Sequence, residues 1–533
     1  MRQRLIIFED EHLVAIDKPA GMNTHSPSPF AGEGIYEWMK NREPRWASLA
    51  ILHRLDKETS GVMVFGKTAV ANRSLTQQFT AREIAKKYIL ATDREIGFQQ
   101  LKMESVLVRA GEKYLSRPIH SGGEKAETHF RKLNSSASGI PELQLVEAIP
   151  LTGKTHQIRV HAAAHGFPIF GDTLYGGTAA PRVFLHAAEI AFAHPITGER
   201  IRFESPPNFS RDARLALRTA FIESEHTNAY RLIHGAPDGC PGWYVERLGD
   251  FILSQSDQPL SAAQLETVQT LLKQFSLRGA YHKILNRRVR GVSTKESSPQ
   301  FVCGEKASDE FVVCENGVSY GLSFNEGYSV GIFLDQRENR RRLLTNYLAP
   351  NFLLHEKFSN ISVLNTFAYT CAFSVCAAKS GAAVTSLDLS KKYLEWGKRN
   401  FVLNGIDPAQ HDFIYGDTLD WLKRLAKKNR RFDVVILDPP TFSQSKETGV
   451  FQAEKDYGKL VAAALPVLEA GGVLLASTNS ATLKPEKFLE MIHVATHSAN
   501  RKIVQQHYVP QPPDFPISRD EPAYLKTVWM RID

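Results

Sequence analysis

The feature that most constrains the fold is an alternation of strands and helices over the part of the chain from about residue 313 onward. Apolar runs of strand length are separated there by helical stretches such as KKYLEWGKRNFVLNG (391–405) and LDWLKRLAKK (419–428). The apolar runs are VLNTF, AVTSLDLS, DFIYGD, DVVILDPP and GGVLLAST. Because a helix between two strands of one sheet brings them back parallel, this pattern predicts a doubly wound α/β domain of the Rossmann-like type.

The first 200 or so residues have a different rhythm, in which strands such as LVAID, GVMVFG and KKYILAT follow one another with few helices between them. This pattern predicts an α+β domain with a mixed or antiparallel sheet. A length of 533 residues is too long for one core, and the proline-containing turn ESPPNFSRD predicts a boundary. We therefore predict three domains: residues 1–210, a small α+β domain over 225–312, and the α/β domain over 313–533.

Charge and cysteine content narrow the class of protein. The formal net charge of +8 favours a polyanionic partner, since clustered cations displace counterions from phosphates. The basic runs NRRVRG (286–291) and LKRLAKKNRR (422–431) are either solvated faces or RNA contacts. Five scattered cysteines without zinc-ligand spacing favour reduced thiols and a cytoplasmic location. The sequence has no apolar run long enough to span a membrane.

The stretch LHRLDKETSG (52–61) places Asp56 between an apolar run and a turn. A strand that leads into a Thr-Ser-Gly turn would hold Asp56 rigidly at the floor of a cleft. A carboxylate there can act as nucleophile or base without a metal or a cofactor. The alternative is a surface aspartate that caps the turn.

Two further segments add groups that suit such a site. Tyr88, in KKYIL, is an aromatic residue able to stack on a base. GKTHQIRVH (153–161) is predicted as a strand, which would place Gln157, Arg159 and His161 on one face, and one of its cations can pair with an aspartate. The histidines of these segments have basic neighbours, which argues against a bound metal ion.

Six short motifs follow one another along residues 4 to 208. They are AIDKPAGM, HRLDKETSG, KKY, GKTHQIRVH, GFPIFGDTLYG and LHAAEIAFAHPITGE. In this order they resemble an RluA-type pseudouridine synthase. The resemblance implies that Asp56 is the catalytic aspartate, Tyr88 the active-site aromatic residue and Arg159 the partner of Asp56. It also implies isomerisation of uridine in RNA without a cofactor, on a base that leaves its stack.

In the α/β domain, acidic residues follow three successive strands. Asp388 ends AVTSLD, Asp417 follows DFIYG, and Asp438 precedes Pro439 and Pro440 after VVIL. Ligands of doubly wound sheets bind at the carboxyl ends of the strands, where an acid can hold ribose hydroxyls and a Pro-Pro pair stiffens a loop. The alternative for each acid is a helix cap or a turn.

This half resembles class I S-adenosylmethionine-dependent methyltransferases, and within them the bacterial large-subunit rRNA methyltransferases of the RlmI and RlmK type. The stretches that carry the resemblance are GYSVGIFLDQRENRR, LNTFAYT, DLSKKYLEWGKRNFVLNG, LDPPTFSQSK and DFPISRDEPAYLK. It implies S-adenosylmethionine as cofactor and 23S-type rRNA or its precursor as partner. By the match, Gln336 and Arg337 lie near the cofactor, Asp388 holds its ribose and Asp417 its adenine. Asp438 also borders the cofactor, and with Pro439 and Pro440 it borders the target base.

Two departures bear on the methyl acceptor. Cys371 stands where the family usually has glycine. Methylation of a pyrimidine at C5 normally needs a cysteine that adds to C6, yet LLASTNSATL (474–483) has none and no cysteine follows Cys376. Transfer to a ring nitrogen, such as N7 of guanine, needs only positioning and fits better. The alternatives are C5-cytosine methylation, and a second half that binds RNA without catalysis.

Overall fold

The structure, a computed structural model, describes residues 5–32, 34–133, 143–285, 297–327, 329–356, 361–445 and 449–533. The chain divides into two compact units, one of residues 1–27 and 33–221 and the other of residues 28–32 and 222–533. The helix Ala213–Phe221 contributes Leu217 and Phe221 to the core of the first unit. A separate domain over 225–312 stays a prediction, and the basic run NRRVRG lies outside the described residues.

The first unit is built on one mixed sheet, which confirms the predicted α+β class. Within the described residues this sheet has 11 strands. Nine of them follow one another across the sheet in the order Ile6–Glu9, Leu13–Lys18, Ser60–Gly66, Leu185–Ala193, Ala85–Thr92, Gln144–Pro150, Lys125–Leu133, Gln100–Ala110 and Lys113–Arg117. Arg200–Glu204 pairs with Leu185–Ala193, and Ala50–Ile51 pairs with Ser60–Gly66. Leu185–Ala193 and Ser60–Gly66 run parallel, whereas the other pairs are antiparallel.

Helices and short turns cover parts of this sheet. The helices are Ile35–Arg42, Ala69–Ala81, Gln157–Ala164 and Ala213–Phe221, and the single 3-10 turns are Pro44–Trp46, Ile119–Ser121 and Thr173–Tyr175. Ala69–Ala81 begins where the Thr68 side chain accepts a hydrogen bond from the amide of Ala71, a common N-cap.

The prediction of a strand over GKTHQIRVH is wrong, because Gln157–Ala164 is a helix. Ile158 and Ala162, which are four residues apart, both pack into the core, and this spacing matches a helix better than a strand. Residues two apart on a helix point about 200° apart. The predicted common face of Gln157, Arg159 and His161 is therefore absent: His161 hydrogen-bonds to Ser105 and Thr128, away from Asp56.

The stretch LHRLDKETSG also differs from the prediction. The strand before it is only Ala50–Ile51, and Ser60 and Gly61 of the predicted Thr-Ser-Gly turn already begin the strand Ser60–Gly66. The turn lies one step earlier, where the amide of Thr59 donates to the carbonyl of Asp56 at 3.1 Å. Gly61 has φ +116°, and a Cβ on it would lie 2.2 Å from the carbonyl oxygen of Ala187, so the close approach of two strands requires glycine.

The second unit contains two larger sheets. The five-stranded sheet has the order Ala229–His234, Trp243–Leu248, Phe251–Ser256, Gly279–Ile284 and Gln300–Gly304. The seven-stranded sheet has the order Asp412–Tyr415, Ala383–Asp388, Ser362–Thr366, Phe432–Leu437, Leu468–Thr478, Lys526–Ile532 and Ile503–Val509. Its first five strands are parallel, as predicted, whereas the last two pair antiparallel.

Helices flank these sheets. They are Ala262–Phe275, Arg337–Thr345, Ala372–Lys379, Lys391–Leu403, Thr418–Lys427, Ala453–Ala464 and Pro485–Ser498. The two-stranded sheets pair Phe311–Glu315 with Val318–Leu322, Tyr347–Ala349 with Phe352–Leu353, and Phe442–Ser445 with Gly449–Gln452. The 3-10 turns are Ala236–Asp238, Leu334–Gln336, Pro408–Gln410 and Leu465–Val467. None of the helices in the described ranges is long and apolar enough to cross a lipid bilayer.

Candidate active sites

The backbone around Asp56 is held from both sides by the segment that carries AIDKPAGM and the residues after it. The hydroxyl of Thr24 donates to the carbonyl of Leu55 at 2.8 Å and accepts from its amide at 3.1 Å. On the other side, the amide of Gly21 donates to the carbonyl of Lys57 at 2.8 Å. These bonds fix the position of Asp56 although it lies in a loop.

Lys18 strengthens the same support from a buried position. Its ammonium donates to the carbonyls of Pro19 at 3.0 Å, Met22 at 2.7 Å and Lys57 at 3.4 Å. Burial lowers the pKa of Lys18 to about 7, against the attraction of Glu58 and Asp56, which favours the charged form. The lysine of AIDKPAGM therefore ties two loops together next to the aspartate.

Arg159 connects Asp56 to a second, buried aspartate. Its Nη1 lies 3.4 Å from Asp56 Oδ2, while its Nε and Nη2 donate to Asp172 Oδ2 and Oδ1 at 2.7 and 2.8 Å. The side chain of Asp172 is only 1% exposed and that of Arg159 is 4% exposed, whereas that of Asp56 is 26% exposed. The bidentate pair thus fixes the guanidinium, which presents its remaining edge to an aspartate that a substrate can reach.

Aromatic groups and an imidazole lie around this pair. His156 Nδ1 is 2.8 Å from the hydroxyl of Tyr175, whose ring lies 5.2 Å from the Arg159 guanidinium carbon. Burial lowers the pKa of His156 below its usual value, although its Nε2 lies 3.8 Å from Asp56 Oδ2. Burial, and then the charge of Asp56, raise the pKa of Tyr88 above its usual value, so its phenol stays neutral. The three residues predicted for this site, Asp56, Tyr88 and Arg159, are therefore in one place.

The arrangement can present a carboxylate to a flat ligand. Asp56 is partly exposed, is oriented by a fixed cation, and has a neutral phenol as its neighbour. Such a group can act as nucleophile or base on a base that has left its stack. Asp172, Tyr175 and Lys18 complete the site around Arg159, yet sequence reasoning gave them no role, whereas His156 was among the cations expected to be able to pair with Asp56. All four residues lie within the motifs quoted above, and membership in those motifs was the sequence signal that could have identified them.

In the second unit the three predicted acids lie at one edge of the seven-stranded sheet. Asp388 ends its strand opposite Tyr415, and Asp438 follows directly after Leu437. Neighbouring strands are about 4.8 Å apart, so Asp388 and Asp438, with one strand between them, are about 10 Å apart along this edge. Asp417 caps the helix Thr418–Lys427, since its carboxylate accepts the amide of Asp420 at 3.0 Å. This N-cap role accounts for part of the position of Asp417, and a contact between Asp417 and the adenine of the cofactor stays a prediction.

Asp438 is joined to Gln336 and Ser477. The side-chain amide of Gln336 donates to Asp438 Oδ1 at 3.2 Å and to the hydroxyl of Ser477 at 2.8 Å. Burial raises the pKa of Asp438 to about 6. Pro439 is buried and Pro440 is exposed, so the loop after Asp438 passes from the core to the surface. Gln336 and Asp438 are thus brought together as predicted, and Ser477 is a partner that the sequence did not reveal.

Arg337 has a buried partner. Its Nη1 and Nη2 donate to Asp514 Oδ2 and Oδ1 at 2.9 and 2.5 Å. The same carboxylate accepts the amide of Arg231 at 3.0 Å, which joins the five-stranded sheet to the segment that carries Gln336. Arg337 therefore orients its neighbours within this unit, and a direct contact with a cofactor stays a prediction.

The turn after Ser362–Thr366 has an unusual backbone. Phe367, Tyr369 and Cys371 have φ of 55°, 48° and 61°, so left-handed residues alternate with others. Alternation of this kind points successive amides to one side and suits an anionic group such as a carboxylate. Asp388 holds the turn, because its Oδ2 accepts the amide of Tyr369 at 2.8 Å. A carboxylate beside an amide-lined turn at the carboxyl edge of the sheet fits S-adenosylmethionine, which carries ribose hydroxyls and an amino-acid carboxylate.

Each unit contains a region that matches the model of a known protein family. A family model described as RNA pseudouridylate synthase matches residues 12–164. A family model described as S-adenosylmethionine-dependent methyltransferase matches residues 255–531, more than half of the chain. The ribosomal large subunit pseudouridine synthase C of Yersinia pestis is 36% identical over 227 residues, which are 40% of this chain and 69% of that protein.

The second unit has similar relatives in sequence and in structure. A ribosomal RNA large subunit methyltransferase of Deinococcus radiodurans is 32% identical over 335 residues, 60% of this chain and 78% of that protein. The crystal structure of SMU.776 complexed with SAH has a TM-score of 0.51 and 31% identity, over 60% of this chain and 79% of that one. The chain therefore belongs to the S-adenosylmethionine-dependent methyltransferase family, and ahead of that domain it carries an RluA-type RNA pseudouridine synthase domain, so that it is an enzyme of both kinds.

Proposed function

We propose that both units modify large-subunit rRNA, the first by converting uridine to pseudouridine and the second by methylating a ring nitrogen such as N7 of guanine. The relatives named above act on the large ribosomal subunit by their names, which supports this substrate. The net charge of +8 suits a polyanion. A cytoplasmic location agrees with this substrate, and all five cysteines are free.

The observation that carries the first activity is the array of Asp56, Arg159 and Asp172. Isomerisation breaks the bond between C1′ of the ribose and N1 of uracil, rotates the base, and joins C1′ to C5. C5 then loses its proton and N1 takes one up, so that the atoms balance. Asp56 lies where a flipped uridine can reach it, and the Arg159 guanidinium attracts its carboxylate and fixes its orientation. Tyr88 offers a neutral aromatic surface for the base. These residues act without a cofactor.

The test is Asp56→Asn in the full-length protein. The amide keeps the shape of the carboxylate but cannot act as nucleophile or base, so we expect loss of isomerisation by at least about 1000-fold. RNA affinity, measured by filter binding, should change little, since Asp56 makes no favourable contact with phosphate. Retained isomerisation would remove Asp56 as the catalytic residue.

For methyl transfer to a ring nitrogen, the supporting observation is the set of residues next to Asp438. Ser477 is the residue that shares Gln336 with it, and the sequence has no cysteine after Cys376. Burial raises the pKa of both Cys371 and Cys376 to about 12, so neither supplies a thiolate for addition to C6 of a pyrimidine. Direct transfer to a ring nitrogen needs no covalent adduct.

The residues of the second unit have distinct tasks in this proposal. Bound S-adenosylmethionine supplies an electrophilic methyl group. Asp388 and the turn Phe367–Cys371 hold the cofactor, while Asp417 borders its adenine. Asp438, oriented by Gln336, and the loop Pro439–Pro440 position the acceptor base, for which the Asp438 carboxylate accepts a hydrogen bond from an N–H group.

Nucleoside mass spectrometry of rRNA from a deletion strain tests the acceptor. We expect one 7-methylguanosine and one pseudouridine to disappear, and both to return when the gene is restored. Restoration with Asp388→Ala should return the pseudouridine alone. Loss of 5-methylcytidine instead would establish C5 methylation, and loss of no methylated base would support a second unit that binds RNA without catalysis.

A further inference from the structure

Cys371 has a backbone conformation that usually belongs to glycine. Its φ of 61° is left-handed, and it lies at the N-terminal cap of the helix Ala372–Lys379. A residue with a Cβ is strained in this region. Cys371 is nevertheless completely buried, at 0% exposure, so the surrounding residues must hold it there.

Gly397 leaves the space that the thiol occupies. It lies within the helix Lys391–Leu403, where glycine is a poor choice for helix stability. A Cβ added to Gly397 would lie 2.3 Å from Cys371 Sγ and 2.8 Å from Cys371 Cβ. These distances are far below van der Waals contact, so any larger residue at position 397 must displace Cys371.

The contact between these two residues lies directly behind the cofactor turn. Asn400, one turn further along the helix of Gly397, donates from Nδ2 to the carbonyl of Thr370 at 2.9 Å. The hydroxyl of Thr370 donates to the carbonyl of Gly331 at 2.6 Å. On the other side of the turn, Tyr369 is bonded to Asp388. Displacement of Cys371 by the helix would therefore be transmitted to the amides of this turn.

We propose that Cys371 and Gly397 are a matched pair of positioning residues, in which the missing side chain of Gly397 lets Cys371 take the left-handed conformation that shapes the S-adenosylmethionine site. The two residues interact by steric fit and not by charge, because burial raises the pKa of Cys371 to about 12 and its thiol stays neutral. This inference rests on the proposal that the turn and Asp388 hold the cofactor. The exchange of glycine for cysteine at position 371 is then compatible with a working site.

A double-variant cycle in the full-length protein tests the pair, with S-adenosylmethionine affinity measured by calorimetry. Gly397→Ala should weaken binding at least about tenfold, although alanine normally favours a helix. Cys371→Gly should bind within about threefold of the wild type, because glycine adopts the left-handed conformation without strain. The double variant Cys371→Gly/Gly397→Ala should recover binding to within about threefold, since the clash is gone.

A matched control is Gly458→Ala, also within a helix, where the new Cβ would lie 3.3 Å from the carbonyl oxygen of Met491. It should leave cofactor affinity unchanged. Gly397→Ala should also raise the KM for S-adenosylmethionine while kcat at saturating cofactor stays near the wild-type value, a split that general loss of folding would not produce.

Two outcomes would overturn the pair: wild-type affinity in Gly397→Ala, or a double variant that binds no better than Gly397→Ala. If Gly397→Ala does not fold, recovery in the double variant still decides the question. Asp388→Ala tests the site separately. Retained binding in Asp388→Ala would reject the proposed cofactor contact, whereas the double-variant cycle reports on the pair alone.

Discussion

At the scale of single residues, Asp172 determines the orientation of the Arg159 guanidinium. The two form a buried bidentate ion pair, and only Nη1 of the guanidinium is turned toward Asp56. Glu58 also lies 3.6 Å from Nη1, but it is 44% exposed. Replacing the buried acid, Asp172, should therefore affect the rate of isomerisation far more than replacing the exposed acid, Glu58.

We expect Asp172→Asn to lower the rate of isomerisation by about 100-fold, because a misplaced Arg159 no longer orients Asp56. Loss of the buried partner should also lower the stability of the first unit by about 3 kcal/mol. Glu58→Gln is the matched control and should change the rate only a few-fold, since exposed ion pairs contribute little. Pseudouridine formed in a transcript measures both. Equal losses in the two variants would contradict the assignment.

The protonation of Asp438 makes a second prediction at this scale. Burial raises the pKa of Asp438 to about 6, with a further contribution from the charge of Asp335. A protonated carboxyl cannot accept a hydrogen bond from the target base in the same way, so methyl transfer should fall as the pH drops through about 6. The initial rate at saturating cofactor measures this, and Asp438→Asn should lack the step.

Stability should respond to the same group in the opposite direction. The folded protein holds the Asp438 proton more tightly than the unfolded chain, whose pKa is near 3.8. This contribution to the free energy of unfolding is present below the unfolded value and is lost as the pH rises through about 6. In the kinetic measurement described above, a rate of methyl transfer that stays constant as the pH drops through about 6 would argue against the Asp438 carboxylate as a hydrogen-bond acceptor.

At the scale of elements, one buried hydroxyl joins two strands beneath the methyltransferase site. Tyr457, on the helix Ala453–Ala464, places its hydroxyl 3.0 Å from the carbonyl of Leu437 and 2.9 Å from that of Ser477. It also accepts the amide of Ser477 at 2.8 Å. These bonds hold the strand ends that carry Asp438 and its partner Ser477.

Tyr457→Phe should remove these buried hydrogen bonds and lower the stability of the second unit by about 2 kcal/mol. Methyl transfer should slow because the two strand ends separate, while isomerisation by the first unit stays at the wild-type rate. Tyr230→Phe, a buried tyrosine in the five-stranded sheet, is the control and should affect methyl transfer little. The prediction fails if the two variants methylate RNA equally well.

At the scale of the whole molecule, the net charge of +8 governs association with RNA. Each phosphate contact releases counterions, so raising the salt concentration from about 50 to about 200 mM should weaken RNA affinity at least about tenfold. Affinity for S-adenosylmethionine should change far less, because that ligand binds through few charges. Filter binding and calorimetry over the same salt series compare the two. RNA affinity independent of salt would contradict an electrostatic mode of binding.

Local patterns explain how much of the molecule could be predicted. The strand runs after residue 363 and the acids Asp388 and Asp438 were placed correctly at one edge, because parallel strands bring their carboxyl ends together. GKTHQIRVH was assigned the wrong type, since an eight-residue helix and a short strand are hard to distinguish from periodicity alone. The antiparallel pairing of Lys526–Ile532 was also missed, because strand order depends on long-range packing.

The sequence by itself determined the two classes of domain, the order of their motifs, and the identity of Asp56, Arg159 and Asp438 as candidates. Only the tertiary structure decided what those residues touch. Arg159 lies 103 positions from Asp56, and Arg337 lies 177 positions from Asp514. Periodicity reports on neighbours within a few residues, whereas such ion pairs form only when distant segments pack together and exclude water. The fit of Cys371 against Gly397 has the same origin, because two residues from different elements can limit each other's size only after folding has packed them together.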